Sequence, residues 1–191
     1  MTDAMLRENV GALMRTVAAE VILPRFQNLA AHEVIEKAKN DLVTIADRES
    51  ELRLSEGLAR LLPDALIVGE EACAADPGVA GGLASELCWI IDPIDGTGNF
   101  AAGRAPFGVI IALAERGEPI AGWIYDPLTG RMCHAARGQG ATINGERIMA
   151  RESGAQLPLA GISTLFLNPE ERAQIEARMD GKLDIVSIPR C

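Results

Sequence analysis

Apolar side chains recur three and four positions apart at the start of the chain. Leu6, Val10, Leu13, Met14, Val17 and Val21 share one face of a helix with 3.6 residues per turn. Pro24 predicts where that helix kinks or ends. A second helix is predicted after Thr44, with Leu54, Leu58, Leu61 and Leu62 on one face and Pro63-Asp64 as its stop. Leu66-Ile67-Val68 reads as a short strand ending in Gly69-Glu70-Glu71, and the Ala- and Gly-rich stretch from Ala72 to Ser85 as a surface loop. Leu87-Cys88-Trp89-Ile90-Ile91 is an unbroken apolar run, the mark of a central strand. It leads straight into Asp92-Pro93-Ile94-Asp95-Gly96-Thr97-Gly98-Asn99-Phe100. Phe107 to Ala114, Ile120 to Tyr125, Arg131 to Ala136 and Gly140 to Ile143 follow, separated by turn signals such as Arg116-Gly117-Glu118-Pro119 and Asn144-Gly145. They predict an antiparallel meander.

After Ala150 the pattern changes. A strand from Leu159 to Leu167, a helix from Glu170 to Met179 opened by Asn168-Pro169, and a strand from Leu183 to Ile188 form one βαβ-like unit. The expected organisation is an N-terminal α+β half over residues 1–150 and the start of a C-terminal α/β half over 151–191.

Composition narrows the function classes. The 191 residues carry 18 Lys+Arg against 27 Asp+Glu, a net charge of −9, with 48% hydrophobic residues. That excludes a wholly disordered chain. An acidic chain without a basic tract argues against nucleic acid as a partner. It leaves phosphate ligands open, because a metal can supply the positive charge. No apolar run reaches the roughly 18–20 residues of a membrane span, so no membrane association is expected. Cys73, Cys88, Cys133 and Cys191 form no CxxC and read as thiols of a reducing cytoplasm. His32 and His134 are too few and too separated for a His-rich metal site.

The chemistry concentrates at Asp92 and Asp95. Two carboxylates three apart follow a buried strand, and Pro93 and Gly96 predict a turn that aims both, with the Ile94 carbonyl, at one point. Hard cations such as Mg²⁺ take such oxygen ligands. Glu70 also ends an apolar strand. If the two strands are neighbours, three carboxylates meet and repel one another unless divalent cations neutralise them. Gly96, Thr97 and Gly98 precede a short helix, whose free N–H groups suit phosphate. The plainer readings are a bare Asp-Gly-Thr turn and a solvated Glu70-Glu71 strand end. A calcium loop of the EF-hand type fails, because the twelfth positions from Asp92 and Asp95 are Gly103 and Pro106. No P-loop pattern occurs. Thr44-Ile45-Ala46-Asp47 matches a capping box with Thr44 as N-cap. Spacing favours the cap for Asp47, and a carboxylate in a first helical turn can do both jobs.

Trp89-Ile-Ile-Asp92-Pro-Ile-Asp95-Gly-Thr97-Gly-Asn99-Phe100 closely resembles the signature of the inositol monophosphatase family. Asp41-Leu-Val-Thr44-Ile-Ala-Asp47, Gly69-Glu70-Glu71 and Arg137-Gly138-Gln-Gly140-Ala-Thr-Ile-Asn144-Gly145 agree with it in order. The resemblance covers about residues 36–150. It implies an α/β (α+β) fold, a layered α-β-α-β-α sugar-phosphatase sandwich with mixed and antiparallel sheets, its second half incomplete here. It implies Mg²⁺-dependent hydrolysis of a small phosphate monoester such as inositol 1-phosphate, by metal-activated water without a covalent intermediate. Histidinol phosphate, fructose 1,6-bisphosphate and 3′-phosphoadenosine 5′-phosphate are the alternative substrates. By motif, Glu70, Asp92, Asp95 and the Ile94 carbonyl would hold two or three Mg²⁺ ions. Glu70 and Thr97 would position the water, with Asp47 bonded to Thr97, and the N–H groups of Gly96 and Thr97 would hold the phosphate. Lithium sensitivity and a cytoplasmic homodimer are further implications.

The chain departs from the family pattern at its far end. The family's later Trp-Asp-x-Ala-Ala-Gly stretch, whose Asp completes the second metal site, has no match, and Asp180 and Asp184 do not follow a Trp. The expectation is a truncated form or a partial sequence. A metal-binding regulatory protein without turnover is the rival from a different class. Smaller departures are Gly98 and Ile110.

Overall fold

The computed structural model describes residues 3–38, 41–150, 154, 157–161 and 167–186. Two compact units divide between Ile148 and Met149.

In the first unit, α1 (Asp3–Val17) buries Val10, Met14 and Val17, the face the periodicity predicts. The helix widens to a π-turn over Ala18–Ile22, then tightens to a 3₁₀ turn over Leu23–Arg25 containing Pro24. The proline ends it because its ring carries no N–H and clashes with the preceding turn. β1 (Val34–Ala38) and β2 (Asp41–Thr44) form an antiparallel hairpin, which the hydrophobic pattern did not announce. α2 (Ile45–Leu61) then buries Leu54 and Leu58. Gly57 lets α1 come close: a Cβ there would stand 2.5 Å from both Leu13 methyls.

A seven-stranded sheet runs in simple spatial order. It comprises β3 (Leu66–Gly69), β4 (Cys88–Asp95), β5 (Gly108–Glu115), β6 (Glu118–Asp126), β7 (Arg131–Ala136), β8 (Gly140–Ile143) and β9 (Glu146–Ile148). β3 and β4 are parallel and every later pair is antiparallel, so the expected meander is present with one extra strand. One sheet face carries Trp89, Ile91, Val109, Ile111, Leu113 and Trp123, all buried with the apolar stripes of the helices in one core. Trp89 and Trp123 sit 5.9 Å apart, centroid to centroid.

The expected loop from Ala72 to Ser85 is instead helical: α3 (Glu70–Ala75), then a 3₁₀ segment over Pro77–Ala84. Ala propensity suits the first turn, and Asp76 caps the second by accepting the Gly78 N–H at 2.8 Å. α4 (Thr97–Ala101) links β4 to β5. Phe100, fully buried, pins it against Phe26 and Phe107, with centroids at 6.0 and 5.2 Å.

In the second unit, β10 (Leu159–Gly161) pairs in parallel with β11 (Asp184–Val186) across α5 (Pro169–Met179). That is the anticipated βαβ arrangement. Asn168 caps α5, accepting from the Glu170 and Glu171 N–H groups. Residues 162–166 and 187–188 of the two predicted strands lie outside the described residues.

Candidate metal and phosphate centre

The parallel register of β3 and β4 sets Gly69 opposite Ile91. The next residues in the chain are Glu70, the first of α3, and Asp92 of β4, so the topology supplies the neighbourhood that the sequence left conditional. The two side chains are close enough to hydrogen-bond. Asp95 follows after a bulge: Asp92 pairs with Ile110 and Asp95 with Gly108, three steps on β4 against two on β5. Such an extra residue bends a strand and re-aims its side chains. Pro93 falls inside the bulge, where a missing N–H is tolerated. The turn expected at Pro93 is therefore a bulge within the strand, and the chain turns only at Gly96, whose φ of 88° favours glycine.

The electrostatics are those of crowded acids. Burial, then the Glu70 and Asp95 carboxylates, push Asp92 up from 3.8 to about 8. Its Oδ1 is buried and meets no donor. Buried oxygens in proteins almost always find a partner, and a hard cation is the partner an all-oxygen donor set suits. The residues present fit such an ion in chemistry. They are neighbours that do not close into a cage: among the described residues no three His, Cys, Asp or Glu groups converge tightly enough to hold an ion as they stand.

Asp47 makes the cap that its spacing favoured and also reaches Thr97. It sits in the first turn of α2, fully buried. Its Oδ2 accepts the Thr44 N–H at 2.8 Å and the Thr44 hydroxyl at 2.6 Å, completing the capping box. Its Oδ1 faces the Thr97 hydroxyl at 3.0 Å, fifty residues away in sequence. The same hydroxyl lies 3.0 Å from the Ile94 carbonyl, and its single proton serves one acceptor at a time. Burial raises the Asp47 carboxyl to about 6, against the pull of the Thr44 and Thr97 bonds.

In α4, the Gly96 carbonyl accepts the N–H groups of Asn99 and Phe100 at 2.9 and 3.0 Å. The earlier N–H groups, including that of Thr97, have no intrahelical acceptor, as at any helix start. A Cβ on Gly98 would meet open space, so nothing within the chain requires glycine there.

Sequence reasoning missed one buried acid beside this centre. Glu51, on the second turn of α2, is 7% exposed. Burial raises its carboxyl while the Glu71 and Ala72 N–H groups lower it. Its four-residue spacing from Asp47 places both on one helix face, a signal available in the sequence. Thus the fold brings Glu70, Asp92, Asp95 and Thr97 to one end of β3 and β4, with Asp47 and Glu51 behind them on α2.

The sequence pattern described as the inositol monophosphatase family matches residues 5–189. A protein of Aquifex aeolicus called fructose-1,6-bisphosphatase/inositol-1-monophosphatase is 33% identical over 144 residues, 75% of this chain and 52% of that protein. A protein of Xylella fastidiosa called Nus factor SuhB is 35% identical over 164 residues, 85% of this chain and 56% of its own. The chain thus spans about half the length of these relatives. An IMPase structure from Thermotoga maritima superposes with a TM-score of 0.71 at 26% identity, over 96% of this chain and 68% of that one.

Proposed function

The chain belongs to the inositol monophosphatase family, a family of phosphatases, and from that premise we propose that it carries the metal- and phosphate-binding half of a Mg²⁺-dependent phosphomonoesterase. The observation that carries this reading is the buried, partnerless Asp92 oxygen beside Glu70 and Asp95. Three crowded carboxylates with an unfilled acceptor are costly without a cation and useful with one.

Glu70, Asp92, Asp95 and the Ile94 carbonyl would hold the ions. The chemistry supplied by bound Mg²⁺ is charge neutralisation and Lewis acidity at the phosphoryl oxygens. The chain's own groups do the rest. Thr97 and Glu70 orient the attacking water. Asp47 accepts the Thr97 proton, which turns the hydroxyl's lone pairs outward to receive a water proton. The N–H groups of Gly96 and Thr97 receive the phosphate at the start of α4. The substrate is a small phosphate monoester, inositol 1-phosphate first among candidates, in a cytoplasmic protein acting as a homodimer. The family resemblance supports lithium sensitivity as well. Among the described residues no helix is long and apolar enough to cross a membrane.

The test is phosphate release from a panel of monoesters, including fructose 1,6-bisphosphate, histidinol phosphate and 3′-phosphoadenosine 5′-phosphate, with Mg²⁺ and with chelator. Asp95→Asn should lower turnover by orders of magnitude while the circular dichroism spectrum holds. Turnover equal to the parent would remove Asp95 from the centre.

A second reading, a metal-binding regulatory protein without turnover, draws on the relatives named Nus factor SuhB. Mg²⁺ binding by calorimetry with no turnover on the whole panel favours it; robust turnover eliminates it.

A further inference from the structure

Glu51 is used in no step above, yet it is held with unusual thoroughness. Its Oε2 accepts the Glu71 N–H at 2.7 Å and its Oε1 accepts the Ala72 N–H at 2.8 Å. On the other side of Glu70, Gly69 rests against the same carboxylate. A Cβ added at Gly69 would overlap the Glu51 carboxylate carbon and both oxygens. Gly69 has an extended backbone, with φ −98° and ψ 152°, which any residue adopts. Glycine is therefore needed there for space and not for conformation.

We propose that Glu51 is a positioning residue: it grips both flanks of Glu70, by shape at Gly69 and by hydrogen bonds at Glu71 and Ala72, and so fixes where the Glu70 side chain stands against Asp92. The consequence for metal binding rests on the function proposed above; the grip itself does not.

A structural purpose alone explains this arrangement poorly. Burying a carboxylate among other carboxylates is unfavourable, and an apolar side chain would fill the same space at less expense. What a carboxylate adds is two strong, directional acceptors for backbone donors. They matter because α3 is six residues long, too short to hold its own first turn. Glu70 stands at that first turn. α2 runs for 17 residues and is packed into the core, so the long helix lends its geometry to the short one.

The experiment compares the chain with Glu51→Gln, Glu51→Ala and Gly69→Ala. Amide hydrogen exchange is followed by NMR, with Mn²⁺ affinity measured by calorimetry. In Glu51→Ala the Glu71 and Ala72 amides should exchange at least tenfold faster, while those of Ile91 and Ile111 hold their rates. Mn²⁺ affinity should fall about tenfold. Glu51→Gln, with one acceptor for two donors, should lie between, and it carries the same measurements if the alanine variant does not fold. Gly69→Ala should weaken Mn²⁺ binding alone, yet cost nothing further once Glu51 is alanine. Unchanged exchange at Glu71 and Ala72, equal Mn²⁺ affinity in Glu51→Ala, or additive effects of the two substitutions would each overturn the proposal. If the parent chain binds no Mn²⁺, the metal-dependent reading of the site fails, and the exchange rates alone decide for or against the grip.

Discussion

Replacing Asp92 by Asn should make the metal-free chain more stable and leave it blind to divalent cations. The sign follows from the raised carboxyl. A group held at about 8 in the folded chain and near its ordinary 3.8 when unfolded favours folding below pH 4, and that contribution is lost as pH rises through about 8. Above that pH the folded chain holds a carboxylate it repels. One pH unit of difference is worth about 1.4 kcal/mol, so the ceiling is about 5–6 kcal/mol. Solvent reaches the half-buried group, and screening reduces the figure to about 2 kcal/mol. Asn keeps the shape and carries no charge to repel. In urea melts with EDTA, the parent's stability should fall between pH 5 and 9 more steeply than the variant's, with a gap of about 2 kcal/mol at pH 9. With Mg²⁺ the order should reverse. At a hundredfold excess over Kd the parent gains about 2.7 kcal/mol, and the variant gains little. An Asp92→Asn chain less stable than the parent in EDTA at pH 9, or equally stabilised by Mg²⁺, would refute the account of Asp92 as a repelled, cation-seeking oxygen.

Other outcomes follow from the same geometry. Thr44→Ala removes the hydroxyl that accepts the Ala46 N–H and donates to Asp47, so thermal melts should show a loss of about 1–2 kcal/mol and turnover should fall with it. Gly96→Ala forces a side chain to φ 88°; a loss of about 1–2 kcal/mol, with weakened phosphate protection against heat, is the expected result. Glu86→Gln is the control: its pairing with Arg116 at 2.7 Å joins side chains 85% and 72% exposed, so denaturant midpoints should move by less than about 0.5 kcal/mol.

Local order was legible wherever one side-chain pattern governed it. The α1 and α2 stripes, the prolines at their ends, the Thr44–Asp47 box and the meander's turns all depend on residues within a few positions of each other, and the structure repeats them. The β1–β2 hairpin was not legible, because Val34–Ala38 mixes Glu and Lys with short apolar residues and gives no clean alternation. The helical stretch from Glu70 to Ala84 escaped for a different reason. Its Ala and Gly are compatible with loop or helix, and packing against β3 and β4 decides between them.

The candidate site divides in the same way. Asp92, Asp95, Gly96 and Thr97 lie on one segment, and their order alone announces oxygen ligands beside a helix start. Joining Glu70 to them requires β3 and β4 to pair in parallel with Gly69 opposite Ile91. Joining Asp47 requires the start of α2 to meet the start of α4, and Glu51 reaches the Glu70 turn only through the same helix. By itself, then, the sequence determined which atoms could bind a cation, since that is a property of residue type and local spacing. Tertiary structure decided that Glu70 at the start of α3 meets Asp92 and Asp95 of β4 at one end of the sheet, and that one buried Asp92 oxygen goes without a donor. Repulsion and desolvation act through space, and only the register of the sheet sets those distances.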